Sequence, residues 1–152
     1  MMMNNKVFNT TFEVSMRLLL ALSITGSNGR TIDNLVTADF ITNYSKEFGL
    51  SKSNLHGNNE FSFAEFSTRR ALAKDALKSL VLQDMIHVSQ KENGFHYSIT
   101  ERGQIFCNLL TSDYANEYRK FAIKANEYMQ TKTEKELLSL ISREASKSLR
   151  RE

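Results

Sequence analysis

The residues of this chain that could ligate a metal, attack a substrate or carry a proton are few and scattered. His56, His87 and His96 form no H-x-x-x-H pair, and Cys107, the only cysteine, has no thiol companion for a metal cluster or an intrachain disulfide. His87 and His96 are expected to face each other across a β-hairpin, as ordinary strand-surface residues. Asp39, Glu47, Glu60 and Glu65 could supply a carboxylate pair, but nothing in their spacing selects one, and helix solubility accounts for them. No G-x-S-x-G elbow and no glycine-rich phosphate loop is present. Catalysis, metal binding and a cofactor are therefore not expected.

A basic set is better organised. Arg70, Lys74 and Lys78 follow one another at i, i+4 and i+8, Arg69 sits beside them, and Lys91 falls at a hairpin tip. On a helix and its neighbouring wing these five side chains could meet nucleic acid phosphates. Four such contacts would give a salt slope of about −3.6. Glu65, Asp75 and Asp84 share the same helix and Glu92 the same wing, so a solvated face or a protein contact is favoured over base readout.

The elements that would position these groups are marked by caps and periodicity. Thr10 with Glu13, Ser62 with Glu65 and Thr133 with Glu136 have capping-box spacing, each cap contributing about 1 kcal/mol. Helices are expected near Thr11–Ile24, with Phe12, Met16, Leu19, Leu20 and Ile24 on one face, and near Ile32–Phe48, capped by Thr31 and carrying Leu35, Val36, Phe40, Ile41, Tyr44 and Phe48. Gly49 fits the left-handed C-terminal position. A third helix runs from Phe63 to about Asp84, with Phe63, Phe66, Ala73, Leu77, Leu80 and Val81 inward. Strands Ile86–Gln90 and Phe95–Ile99 follow, separated by Lys91-Glu92-Asn93-Gly94. Thr100 opens the next helix, in which Gly103 permits a close approach to the sheet and Cys107 is an inert buried thiol.

That order describes a mainly α fold with a small β-hairpin wing, a winged helix-turn-helix domain over residues 11–108. Residues 1–10 form an N-terminal arm, and 49–62 a loop longer than a minimal winged helix needs. Residues 109–152 form a C-terminal helical extension. Its first helix carries an aromatic stripe, Tyr114, Tyr118, Phe121 and Tyr128, and its second carries Leu137, Leu138, Ile141, Ala145 and Leu149. These stripes meet a partner, a second copy or each other. The chain has 152 residues, no proline and a net charge of +3, which permits nucleic acid contact without demanding it. No apolar run reaches signal-peptide or membrane-span length, so a soluble cytoplasmic protein is expected.

The stretch from Thr11 to Tyr118 resembles a known family. The residues that carry the likeness are Phe12-Glu13-Val14-Ser15-Met16-Arg17-Leu18-Leu19-Leu20, Asp39-Phe40, Tyr44, Phe48-Gly49-Leu50 and Asn54-Leu55-His56-Gly57-Asn58. Phe63, Glu65, Arg69-Arg70, Tyr97-Ser98-Ile99-Thr100-Glu101-Arg102-Gly103, Ser112-Asp113-Tyr114-Ala115 and Tyr118 complete the set. Together they look like the middle component of bacterial ABC-three-component systems, the group that includes the Lamassu-type defence operons. The resemblance implies a non-catalytic accessory subunit assembled with a coiled-coil ATPase related to the structural-maintenance-of-chromosomes proteins and with a nuclease-type effector, DNA being met through the complex. It also points to Asp39, Phe40, Tyr44, Asn54, Leu55, His56, Gly57, Tyr114 and Tyr118 as partner-binding residues, with Leu55 an apolar anchor on its loop. The remaining alternative is a dimeric winged-helix transcription regulator.

Overall fold

The structure is a computed structural model that describes residues 10–25, 28–53, 55 and 63–151, leaving aside the side chains of 63–67 and 144–151. Among the described residues, six helices and one hairpin run in the order α1 (Thr11–Ser23), α2 (Ile32–Asn43), α3 (Phe63–Leu82), β1 (Ile86–Lys91), β2 (Gly94–Ile99), α4 (Glu101–Asn108), α5 (Asp113–Gln130) and α6 (Glu134–Arg151). The chain is thus mainly helical with a two-stranded antiparallel sheet. No described helix is long and apolar enough to cross a membrane.

Threonine and serine hydroxyls start the helices. Thr10, Thr31, Thr100 and Ser112 each accept a hydrogen bond from the backbone N–H three residues on. Thr133 and Glu136 complete both halves of a capping box, at 3.1 and 2.8 Å. The Ser62–Glu65 box lies outside the described residues.

Two helix ends close in the same way, by a left-handed residue that lets two N–H groups turn back onto unpaired carbonyls. After α3, Asp84 takes φ +60° while its N–H reaches Val81 and that of Met85 reaches Leu80. After α2 the backbone continues in turns, because the Thr42 and Ser45 hydroxyls bond to carbonyls that the helix ladder would otherwise use. That tail ends at Gly49, φ +73°, with Leu50 N–H on the Ser45 carbonyl. The helix expected to reach Phe48 therefore stops at Asn43 and gives way to these turns.

The hairpin pairs Ile86 with Ile99 through to Lys91 with Gly94, so its connection is two residues, Glu92 and Asn93, and not four. Gly94, φ +111°, makes the turn's exit possible. Arg30 adds a single antiparallel bridge to Tyr97, with N–H···O distances of 2.9 and 2.8 Å. The chain between α1 and α2 thereby ties to the outer side of β2.

One core fills the space between α1, α3, α4 and α5. It contains Leu18, Leu19, Leu22, Leu35, Ala73, Leu77, Leu80, Ile86 and Cys107, and it extends to Ala115, Tyr118 and Ala122. Each fully buried leucine or isoleucine contributes about 1.5–3 kcal/mol. The division expected at residue 108 thus falls inside a shared core. The aromatic stripe of α5 packs in cis, with Tyr118 fully buried, and Leu137 and Ile141 of α6 close over α2 in two smaller clusters. Phe12, placed inward by periodicity, is exposed, while Val14, Leu18, Ala21 and Leu22 fill the interior of α1.

Candidate functional site

α2 is buried over nine of its twelve residues, from Leu35 to Asn43. It lies between α1, α3 and α5, and residues of α6 cover its remaining side. Its polar residues cannot turn to solvent and must find partners inside. Asp39 finds five donors. Its Oδ1 accepts from Arg17 Nε at 3.0 Å, from Tyr118 Oη at 2.6 Å and from Asn43 Nδ2 at 3.2 Å. Its Oδ2 accepts from Arg69 Nη1 at 2.9 Å and from Arg17 Nη2 at 3.4 Å. Four helices thus meet on one carboxylate: α1 through Arg17, α2 through Asp39, α3 through Arg69 and α5 through Tyr118.

Burial by itself would push the Asp39 carboxyl up. The guanidinium charges of Arg17 and Arg69, with the Tyr118 hydroxyl, outweigh it and hold the group at about 2, below its ordinary 3.8. The same attraction raises Arg17 against the opposing effect of its own burial. Tyr118 is pushed well above 10 by burial and by the adjacent carboxylate. Tyr114 is pushed up to about 12, chiefly by burial, although it also hydrogen-bonds Arg17. Two cations on one anion leave a surplus positive charge, part of which the Tyr44 ring meets, its centroid 5.7 Å from the Arg69 guanidinium carbon.

A carboxylate offers about four lone-pair sites, and five donors saturate them. Asp39 has no capacity left to take a proton from a substrate, and side-chain exposures of 1% for Arg17, 3% for Arg69 and 4% for Asp39 leave no path for one. The cluster is a lock joining four helices. Among the described residues, no three of His, Cys, Asp and Glu converge. Burial raises the Cys107 thiol, which makes it a poor nucleophile.

The residues expected to bind a partner divide accordingly. Asp39, Phe40, Tyr44 and Tyr118 are interior, not surface, and Tyr114 is half-buried beside them. Leu55 packs against the core with its N–H on the Asn43 carbonyl, so it does not project as an anchor. Asn54, His56 and Gly57 lie outside the described residues. Of the basic set, Arg69 is committed to Asp39, and Arg70 is held by Asp33 at 2.8 Å on the surface. Lys74, Lys78 and Lys91 are exposed. His87 and His96 do not pair: His87 lies opposite Ser98, and His96 opposite Ser89. His96 Nε2 sits 2.8 Å from Asn93 Oδ1.

Two members of the cluster had no role assigned from sequence, Arg17 and Asn43. Arg17 did carry a signal. An arginine inside the run Val14–Leu22, on a helix apolar on most sides, needs a buried anion, and Asp39 is the one acid in the mostly apolar stretch Leu35–Ile41 of α2. Asn43, one turn after Asp39, donates to it, and its own Oδ1 has no partner among the described residues.

Residues 7–151 match a family model described as ABC-three component (ABC-3C) system Middle Component 2. No curated protein and no solved structure matches the chain.

Proposed function

Because the chain belongs to the ABC-three component (ABC-3C) system Middle Component 2 family, we propose that it is a non-catalytic accessory subunit bridging two larger components. A middle component of a multi-component system works with partners of that same system. In this reading the partners are a coiled-coil ATPase related to the structural-maintenance-of-chromosomes proteins and a nuclease-type effector. The assembly is a Lamassu-type complex in the bacterial cytoplasm, acting against phage or plasmid DNA. The scaffold is a winged helix, an assignment supported by the α1–α2–α3–hairpin order and by the Arg30–Tyr97 bridge beside β2.

One observation carries the reading. Four residues of the family likeness, Arg17, Asp39, Arg69 and Tyr118, are spent on fastening helices together. A protein whose buried charged residues build a rigid frame offers its surfaces for docking. Co-expression with the products of the adjacent genes tests this. The chain should co-purify through size exclusion with a large coiled-coil ATPase. A chain that elutes alone from cells making all components overturns the proposal.

Exposed Lys74, Lys78 and Lys91 favour a second reading, direct duplex binding by a winged-helix regulator. Three phosphate contacts would give a salt slope of about −2.7, and Lys74→Ala with Lys78→Ala would reduce it by about 2. Fluorescence anisotropy on a labelled duplex decides: binding that moderate salt abolishes, with no sequence preference, argues against a regulator.

A further inference from the structure

A cavity of about 360 Å³ opens where the start of α2, the hairpin and the α5–α6 junction meet. Arg30 forms part of its wall and is only 9% exposed. Its backbone is fixed by the bridge to Tyr97, and its Nε donates to Asn34 Oδ1. That is the one hydrogen bond of the Arg30 guanidinium among the described residues, and none of their carboxylates forms an ion pair with it. Arg17 and Arg69, buried as deeply, share Asp39. Burial accordingly pulls Arg30 down to about 10 from its ordinary 12.5, with a weaker opposing effect from Tyr118, whereas Arg17 is raised. A cation withdrawn from water without a counter-ion is costly, so this position calls for an anion.

The surroundings supply further donors. The Thr31 hydroxyl accepts the Asn34 N–H at 3.1 Å, which leaves its own proton to give. Asn34 keeps both amide hydrogens, because its bond to Arg30 uses the oxygen. Lys132 lies over the Tyr128 ring, Nζ 5.3 Å from the centroid, and is in no ion pair among the described residues. His96 is spent on the wall, with Nε2 2.8 Å from Asn93 Oδ1 and Nδ1 3.5 Å from the Gly29 carbonyl oxygen. The first turns of α2 and α6 both border the cavity, and helix N-termini favour anions. Of the carboxylates in those turns, Asp33 is held by Arg70, and Glu136 accepts from the Thr133 N–H. Glu134 alone lines the cavity, and it is exposed where Arg30 is buried. The negative charge thus lies toward solvent and the positive charge inside.

We propose that this cavity binds a phosphate group, free or carried as a monoester on a molecule of up to nucleotide size, with Arg30 as its counter-ion and Thr31, Asn34 and Lys132 as further donors. A phosphate is favoured over a carboxylate because the donors come from two separate stretches of chain. A tetrahedral anion accepts from several directions, whereas a planar carboxylate is met by one guanidinium fork. The volume lies at the small end of the roughly 300–1,000 Å³ typical of small-molecule sites. It leaves room beside a phosphate for an organic group against Met129 and Leu137. The inference stands on this cavity and not on which components the chain joins. The bound group would tie the start of α2 to the α5–α6 junction.

Calorimetric titration of the full chain with inorganic phosphate, adenosine monophosphate and adenosine, at one ionic strength, tests this. Phosphate and the monophosphate should bind and raise the thermal midpoint; adenosine and added chloride should do neither. Tighter binding of the monophosphate identifies an ester as the ligand, and equal affinities the free ion; both results support the site. Arg30→Met should bind about 30-fold more weakly or worse. Without ligand it should melt no lower than wild type, since the uncompensated charge has gone. Two variants at less buried positions serve should Arg30→Met not fold. Lys132→Ala should weaken binding about 5-fold, and Glu134→Gln should tighten it by a similar factor. Lys74→Ala, away from the cavity on α3, should bind as wild type. Absence of binding by both phosphate species overturns the proposal, as does undiminished affinity in Arg30→Met or in Lys132→Ala. A lowered ligand-free midpoint in Glu134→Gln would make Glu134 the counter-ion of Arg30 and overturn it too. Binding of a 5′-phosphorylated oligonucleotide but not of the monophosphate would identify nucleic acid, with the same consequence.

Discussion

Asp39→Ala should cost about 3–5 kcal/mol of folding free energy, a large share of the 5–15 kcal/mol typical of a single domain. The cost comes from what remains, not from what is removed. Arg17 and Arg69 stay buried with no carboxylate between them, and the Tyr118 hydroxyl loses its acceptor. Urea titration reads this as a fall in the midpoint at constant m-value. Tyr118→Phe removes one donor to a charged acceptor and should cost about 1.5–3 kcal/mol. Replacing Arg17, Asp39 and Arg69 together with Met, Leu and Met should recover much of the loss, because the charges leave as a set. A triple variant as unstable as Asp39→Ala would show that shape, not charge, governs the site.

The same carboxylate makes a second, independent mark in acid. Its folded value, about 2, lies below its ordinary 3.8, so the unfolded chain takes up the proton more readily than the folded one. The stability Asp39 lends is complete above about pH 4 and is lost as the pH falls toward 2. That loss is worth about 2 kcal/mol. Stability curves of wild type and Asp39→Asn should converge over this window by that amount, and parallel curves would mean that Asp39 carries no such depression in the folded state.

The frame of this protein was legible where a local rule sufficed. The hydroxyls of Thr10, Thr31 and Thr100 mark helix starts because an N-cap needs only its own next turn, and the alternation Ile86, Val88 and Tyr97, Ile99 marks strands for the same reason. Apolar periodicity does not reveal that Thr37, Asp39, Thr42 and Asn43 of α2 are buried, the last three held by hydrogen bonds. Periodicity counts apolar side chains, and a buried polar network is invisible to it. Arg69 and Arg70 show the same limit at single-residue scale. Adjacent on one helix, they point about 100° apart, one to Asp39 inside and one to Asp33 outside. The family likeness, by contrast, included Arg17, Asp39, Arg69 and Tyr118 among many other residues without any geometric reason, and these four meet across sequence separations of 22, 30 and 79 residues. Those four residues, dispersed over the chain, form a compact cluster in space, and their part there is structural.

Among the described glycines, Gly103 should be the one least tolerant of an added methyl group. A Cβ at Gly103 would lie 2.1 Å from the Met85 carbonyl oxygen and 2.8 Å from Ile99 Cγ1. The Met85 carbonyl cannot retreat, because it accepts the Thr100 N–H at 3.0 Å. The backbone on its other side is equally fixed: Met85 N–H closes α3 on Leu80, and the Asp84 carbonyl is held by the Thr100 hydroxyl at 2.7 Å. The strain must therefore move α4 away from the junction of α3 and β1, dragging buried Cys107 with it. Overpacking of this kind costs about 1–3 kcal/mol, and the rigid backbone contact puts Gly103→Ala at the upper end. Thr100→Ala, which loses a cap but adds no atom, should cost about 1 kcal/mol and rank below it. Equal urea midpoints for Gly103→Ala and wild type would show that α4 has room to slide.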